Sequence, residues 1–187
     1  MRFGGDTPKA LTLLHGRPLL AYALDAARAG GCAPVVLVVS DARVGRAAGA
    51  GVEIVRNDAP ERGIASSLQC ALRHLEAAGP DAAPAVVVGL ADQPLVGAEA
   101  YRRVAGAYDA GAGLAVATYD GMRGNPVLIA RPYWPEALEL TGDEGARVLF
   151  RRHGAVAVPC DDTGAAADVD TTADLAELES RLTDMEK

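Results

Sequence analysis

Short continuous runs of β-branched and aliphatic residues, set between stretches of helical apolar spacing, constrain this chain more than any other feature. Val35-Val36-Leu37-Val38-Val39 and Val86-Val87-Val88-Gly89-Leu90 show no polar alternation, so each reads as a strand buried on both faces. Val52-Glu53-Ile54-Val55, Leu114-Ala115-Val116-Ala117, Val127-Leu128-Ile129 and Ala155-Val156-Ala157-Val158 are shorter candidates. Helical spacing fills the intervals. It runs from Pro18 to Arg28, stopping at Gly30-Gly31, and through Ile64, Leu68, Ala71, Leu72 and Leu75, stopping at Gly79-Pro80. Glu99 to Ala110, Asp143 to Arg152 and Thr172 to Leu182 complete the set. Strands alternating with helices predict a mostly parallel sheet covered on both faces, a three-layer α/β/α Rossmann-like arrangement. With 187 residues and no linker or repeat, a single domain over 1–187 is expected.

In such a sheet ligands sit beyond the C-terminal ends of the strands. The polar residues found there are Ser40-Asp41, Asn57-Asp58, Asp92-Gln93-Pro94, Thr118 and Asp168-Val169-Asp170-Thr171. Recurrent carboxylates at strand ends suit magnesium and phosphates. A net charge of −7 disfavours nonspecific nucleic-acid binding, so an anionic ligand needs local cations, backbone N–H groups or a divalent ion. No apolar run approaches a membrane span, and the N-terminus has no apolar signal region, so neither a membrane nor a secretory route is expected. Cys32, Cys70 and Cys160 are odd in number and set in apolar sequence, which predicts buried structural thiols and a reducing cytoplasm.

Four segments carry candidate chemistry. Arg2-Phe3-Gly4-Gly5-Asp6-Thr7-Pro8-Lys9 can wrap a triphosphate, with Gly4 and Gly5 admitting the backbone and Arg2 and Lys9 neutralising charge. A charged chain end is the plainer alternative. Asp92, between a buried strand and Pro94, can hold Mg²⁺ against phosphate oxygens or simply cap a turn. Asp168 and Asp170 share one face of an extended segment, where one can ligate the same metal, while Thr171 and Thr172 suit helix caps. Gly63, Ser66 and Ser67 open a helix and can either bind a nucleotide or cap that helix.

Taken in order, R-F-G-G-D-x-P-K-A-L, G-x-x-S-S-L, A-D-Q-P-L, R-G-N-P-V, G-D-E-G-A-R and D-V-D-T-x-x-D-L resemble the molybdenum cofactor nucleotidyltransferases. The resemblance runs from Arg2 to about Leu178. Asp92-Gln93-Pro94 and Gly124-Asn125-Pro126-Val127 are more similar to the cytidylyltransferases than to the guanylyltransferases. It implies a nucleotide-diphospho-sugar transferase fold, with Arg2 and Lys9 on the triphosphate and Gly4, Gly5, Asn57, Gly63, Ser66 and Ser67 around the nucleotide. It further implies Mg²⁺ on Asp92 and Asp170. Arg123, Gly124, Asn125, Asp143, Gly145 and Arg147 would face a molybdopterin-type acceptor. CTP, or GTP, is the implied donor, and a molybdoenzyme or its maturation chaperone the implied recipient.

Members of that family open with an apolar strand and an L-A-A-G-x-x-x-R loop, whereas this chain starts at Met1 inside the loop. The expectation is two unpaired strand edges inside the sheet and half a phosphate cradle, from either a late-assigned start or a truncation. A phosphate acceptor is already anionic, so no strong base is required, and His15, His74 and His153 lie outside the strand-end motifs. The alternatives are a different phosphorylated acceptor (a sugar phosphate or methylerythritol phosphate) and a noncatalytic cofactor-binding protein. No G-x-G-x-x-G follows a strand and no G-x-S-x-G elbow is present, which argues against a dinucleotide oxidoreductase and a serine hydrolase.

Overall fold

The computed structural model describes residues 7–165, 173–176 and 178. After a 3-10 turn at Lys9–Leu11, a small antiparallel hairpin pairs β1 (Leu13–Leu14) with β2 (Arg17–Pro18). Then follow α1 (Leu19–Ala29), β3 (Val36–Val39), α2 (Ala42–Ala47), β4 (Glu53–Arg56), α3 (Ile64–Ala77), β5 (Ala85–Val88) and α4 (Ala98–Asp109). The second half holds β6 (Leu114–Tyr119), β7 (Met122–Ala130), α5 (Trp134–Ala137), α6 (Arg147–His153) and β8 (Val156–Pro159). The expected α/β layering is present.

β3 and β4 form one parallel pair, and the larger sheet has the order β5-β7-β6-β8. β7 is antiparallel to β5 and β6, while β6 and β8 are parallel. Three strands of that sheet therefore run one way and β7 alone is reversed. The reversal follows from the two-residue turn at Asp120-Gly121, where both residues have positive φ as a tight hairpin demands.

Alternation along β6 and β7 divides the core. Leu114, Val116, Val127 and Ile129 face α3, α5 and α6, meeting Leu68, Leu72, Leu75, Trp134, Leu149 and Phe150. Ala115, Ala117 and Leu128 point the other way onto Ala100, Tyr101 and Val104 of α4. The small Ala side chains let α4 approach closely, which explains how an Ala-rich chain with few aromatics fills its interior. Trp134 is fully buried, and its indole N–H donates to the Ile129 carbonyl at 3.1 Å.

Two expectations are corrected. The helix expected from Asp143 begins only at Arg147, because Gly142 and Gly145 take φ of +68° and +51°, which no continuing helix allows. Of the cysteines only Cys160 is buried, with Cys32 and Cys70 half-buried and all three free. The helix expected over Thr172–Leu182 is seen only where the structure describes it, at 173–176 and 178.

Candidate active site

β5 runs into Gly89, whose bare backbone leaves room for a ring from α4. A Cβ on Gly89 would lie 1.9 Å from the Tyr101 hydroxyl oxygen, so the ring tip from α4 fills the space beside the backbone. Burial raises the Tyr101 phenol well above its ordinary pKa and keeps it neutral. Beyond the turn stands Asp92. Its Oδ2 accepts from Lys9 Nζ at 2.6 Å, although 83 residues separate them. Both side chains are about 30% exposed, at 31% for Lys9 and 29% for Asp92, so the pair is open to a ligand. The sequence-predicted phosphate-binding lysine and metal-binding aspartate thus meet at the end of a strand.

Among the described residues, no group of three or more His, Cys, Asp or Glu side chains gathers to hold a metal ion. Mg²⁺ does not need such a cage: it commonly takes one or two carboxylates and completes its shell with substrate phosphates and water. Asp92 is a hard oxygen donor beside a phosphate-seeking ammonium, and it fits that arrangement. Arg2, Gly4, Gly5, Asp168 and Asp170 lie outside the described residues.

The nucleotide candidates also converge. Asn57, which follows β4, is 3% exposed. Its Nδ2 donates to Ser66 Oγ at 2.8 Å and Ser67 Oγ at 3.0 Å, and its Oδ1 accepts from the Ala59 N–H at 3.0 Å. Ser66 Oγ donates onward to the Gly63 carbonyl at 2.8 Å. This network ties the first turn of α3 to the end of β4, so the capping and binding readings of these serines share one geometry.

Arg123, Gly124, Asn125, Asp143, Gly145 and Arg147 surround a single cavity of about 370 Å³. Its floor includes Ile64, Leu68, Val116 and Phe150. Among the described residues neither Arg123 nor Arg147 is in an ion pair, whereas Arg151 Nη2 donates to Glu144 Oε1 at 2.7 Å. Two exposed guanidinium groups above an apolar floor suit an anion attached to a flat organic body. Tyr119 braces this rim by donating from its hydroxyl to the Asn125 carbonyl at 2.9 Å.

Sequence reasoning missed one role. Gly63 has no side chain to cap α3, and the cap comes from 79 residues away: Asp143 Oδ1 accepts from the Ile64 N–H at 3.3 Å. The Gly142 carbonyl accepts from the Ala65 N–H at 3.1 Å. Asp143 therefore joins the loop at 142–146 to the helix bearing Ser66 and Ser67. A glycine before a helix without a local cap was the available signal. Two other strand-end carboxylates prove structural. Asp41 caps α2, and Arg43 beside it holds its carboxyl below the usual range; Asp58 pairs with Arg56 at 2.5 Å. His74 and His153 bond to Glu53 and Glu136, each at 2.6 Å, away from these clusters.

Comparison with known proteins agrees with this fold. The family model for the MobA-like NTP transferase domain matches residues 1–157. Rv0371c from Mycobacterium tuberculosis H37Rv has a similar structure, with 30% identity and a TM-score of 0.77, over 94% of this chain and 90% of that one. A structure of that protein has also been solved in complex with manganese. Molybdopterin-guanine dinucleotide biosynthesis protein A from Archaeoglobus fulgidus shares the fold at 18% identity, with a TM-score of 0.68 over 96% of this chain and 93% of that one. The bifunctional protein GlmU of Sorangium cellulosum is 34% identical over 116 residues, 58% of this chain, and the match spans only 24% of that protein's length. The chain belongs to the MobA-like NTP transferase family.

Proposed function

We propose that the protein transfers CMP from CTP to the terminal phosphate of molybdenum-bearing molybdopterin, with Mg²⁺ as the working ion. The observation that carries the reading is the convergence of Lys9 on Asp92 at the end of β5, beside the arginine-lined cavity. An oxygen of the acceptor phosphate attacks the α-phosphorus in line. The new phosphoanhydride bond forms as the bond to the β-phosphate's bridging oxygen breaks, and pyrophosphate leaves with that electron pair. A bound divalent ion supplies charge neutralisation at the phosphate oxygens.

The chain's own residues do the rest. Lys9 shifts its charge compensation from Asp92 to the leaving pyrophosphate, and Arg123 and Arg147 hold the acceptor phosphate. The Asn57–Ser66–Ser67 network fixes the nucleotide's position. The acceptor is already an anion, so no histidine is needed as a base, and catalysis comes from placement and charge. The preference for CTP over GTP rests on Asp92-Gln93-Pro94 and Gly124-Asn125-Pro126.

The test is pyrophosphate release with Mg²⁺, molybdenum-loaded molybdopterin, and CTP or GTP in parallel. Turnover with CTP supports the proposal, and turnover with GTP alone moves the donor. A second reading keeps the nucleotide transfer and takes a sugar phosphate as the acceptor. Release with a sugar phosphate but not with molybdopterin would select it.

A further inference from the structure

The peptide unit joining Gly63 to Ile64 is bonded at both of its polar ends. Its carbonyl accepts from Ser66 Oγ at 2.8 Å, and its N–H donates to Asp143 Oδ1 at 3.3 Å. Ser66 Oγ in turn accepts from Asn57 Nδ2 at 2.8 Å. The Asn57 amide is held in that orientation because its Oδ1 accepts from the Ala59 N–H at 3.0 Å. Every donor in the chain therefore points the same way, from Asn57 through the Ser66 hydroxyl and one peptide unit to a carboxylate. Hydrogen bonds arranged head to tail polarise one another, and an anion at the accepting end strengthens the last of them.

This chain begins in the candidate nucleotide cluster and ends on the rim of the acceptor cavity, which Asp143 lines together with Arg123 and Arg147. Close packing holds the two ends in register. A Cβ on Gly63 would lie 2.5 Å from both Asp143 Oδ1 and the Gly142 carbonyl carbon, so backbone rests on backbone there. The Gly142 carbonyl also accepts from the Ala65 N–H at 3.1 Å. One turn farther along α3, the buried Gln69 amide donates to the Leu138 and Leu140 carbonyls at 2.8 and 2.7 Å. The segment at 138–143 is thus bound to the first two turns of α3. Asp143 and Glu144 beyond it are exposed. The bond from Ile64 is the longest in the chain, just past the usual range, and has the most to gain from tightening.

We propose that Asp143 is a positioning residue that couples the two halves of the site. A nucleotide bound at Asn57, Ser66 and Ser67 orders the loop at 142–147 through the Gly63–Ile64 peptide, and the nucleotide-filled protein takes a phosphorylated acceptor more tightly. A loop already ordered costs the second ligand less, and by reciprocity the acceptor tightens the nucleotide. The inference rests on the nucleotide reading of the Asn57 cluster and is independent of which acceptor is used.

The test is sub-second amide hydrogen exchange in peptides covering 141–148, in the native chain, Asp143→Ala and Asp143→Asn. Each is compared with and without saturating CTP or GTP and Mg²⁺, and nucleotide uptake is followed alongside by calorimetry. In the native chain nucleotide should slow exchange in those peptides about fivefold or more. Asp143→Ala should take up nucleotide with its circular dichroism intact yet lose the slowing. Asp143→Asn, whose amide oxygen still accepts from the Ile64 N–H, should keep it. Uptake without slowing in the native chain overturns the proposal, as does slowing that persists in Asp143→Ala or disappears in Asp143→Asn. A native chain that takes up neither CTP nor GTP overturns the nucleotide reading and this inference together, so the two failures are told apart.

Discussion

In β6 every residue from Leu114 to Thr118 is buried, whereas in β3 only Val39 of Val36–Val39 is. Both segments are near-continuous apolar runs. β6 has a bonded neighbour on each edge and helices over both faces, whereas β3, among the described residues, has one bonded edge and lines a cavity of about 560 Å³. An apolar run therefore specifies an interior position, and the neighbours decide whether the position is filled. The candidate site lies at the seam, with Asp92 following β5, which lines the same cavity as β3.

The largest effect that sharpens this contrast is on stability. Trp134→Ala, which empties a fully buried position under the four-stranded sheet, should cost about 3–5 kcal/mol in denaturant unfolding. Ile54→Ala in β4, where the side chain is 44% exposed, should cost about 1 kcal/mol or less. Similar costs for the two would break the contrast. Next comes turnover at the seam: Lys9→Ala should lower kcat about 10²-fold or more while circular dichroism stays unchanged. An unfolded Lys9→Ala protein would mark the ion pair with Asp92 as structural.

Asp143→Ala should cost about 1 kcal/mol, the usual worth of a lost helix cap, read as a fall in melting temperature. No change would mean that the Gly142 carbonyl alone holds the start of α3. The remaining effect is alkaline. Burial, with a contribution from Cys160, pushes the Tyr119 phenol up to about 12 from its ordinary 10.0. A raised folded pKa makes its contribution complete below the unfolded value, so stability should fall as pH rises from about 10 through about 12. Tyr101, raised by burial as well, adds to the same loss. Tyr119→Phe should shrink the alkaline step, and an unchanged step would assign it elsewhere.

The larger elements were legible because their apolar periods are unambiguous: β3, β5, α1, α3 and α4 all fall where the pattern places them. The β1–β2 hairpin, α2 and α5 were missed, being two-residue strands and short helices with too few positions to show a period. Lys9, Asp92, Asn57, Ser66 and Ser67 could be singled out because strand ends and glycine-rich turns have their own residue chemistry. Their pairings could not. Nothing local in Gly142-Asp143 announces that it caps a helix 79 residues upstream, and Asp41 and Asp58 carry the same strand-end signal as Asp92 while bonding to neighbouring arginines. A carboxylate's position after a strand is a property of sequence; its partner is a property of packing.

The most direct test of the central claim is the uptake of Mn²⁺ with CTP, followed by the manganese paramagnetic resonance signal, in the native chain and in Asp92→Ala. The account predicts that the native protein takes up manganese only when CTP is present, and that Asp92→Ala loses that uptake with its circular dichroism intact. Equal uptake by the two proteins, or none by the native chain, would contradict the placement of the metal–triphosphate centre at Asp92 and Lys9.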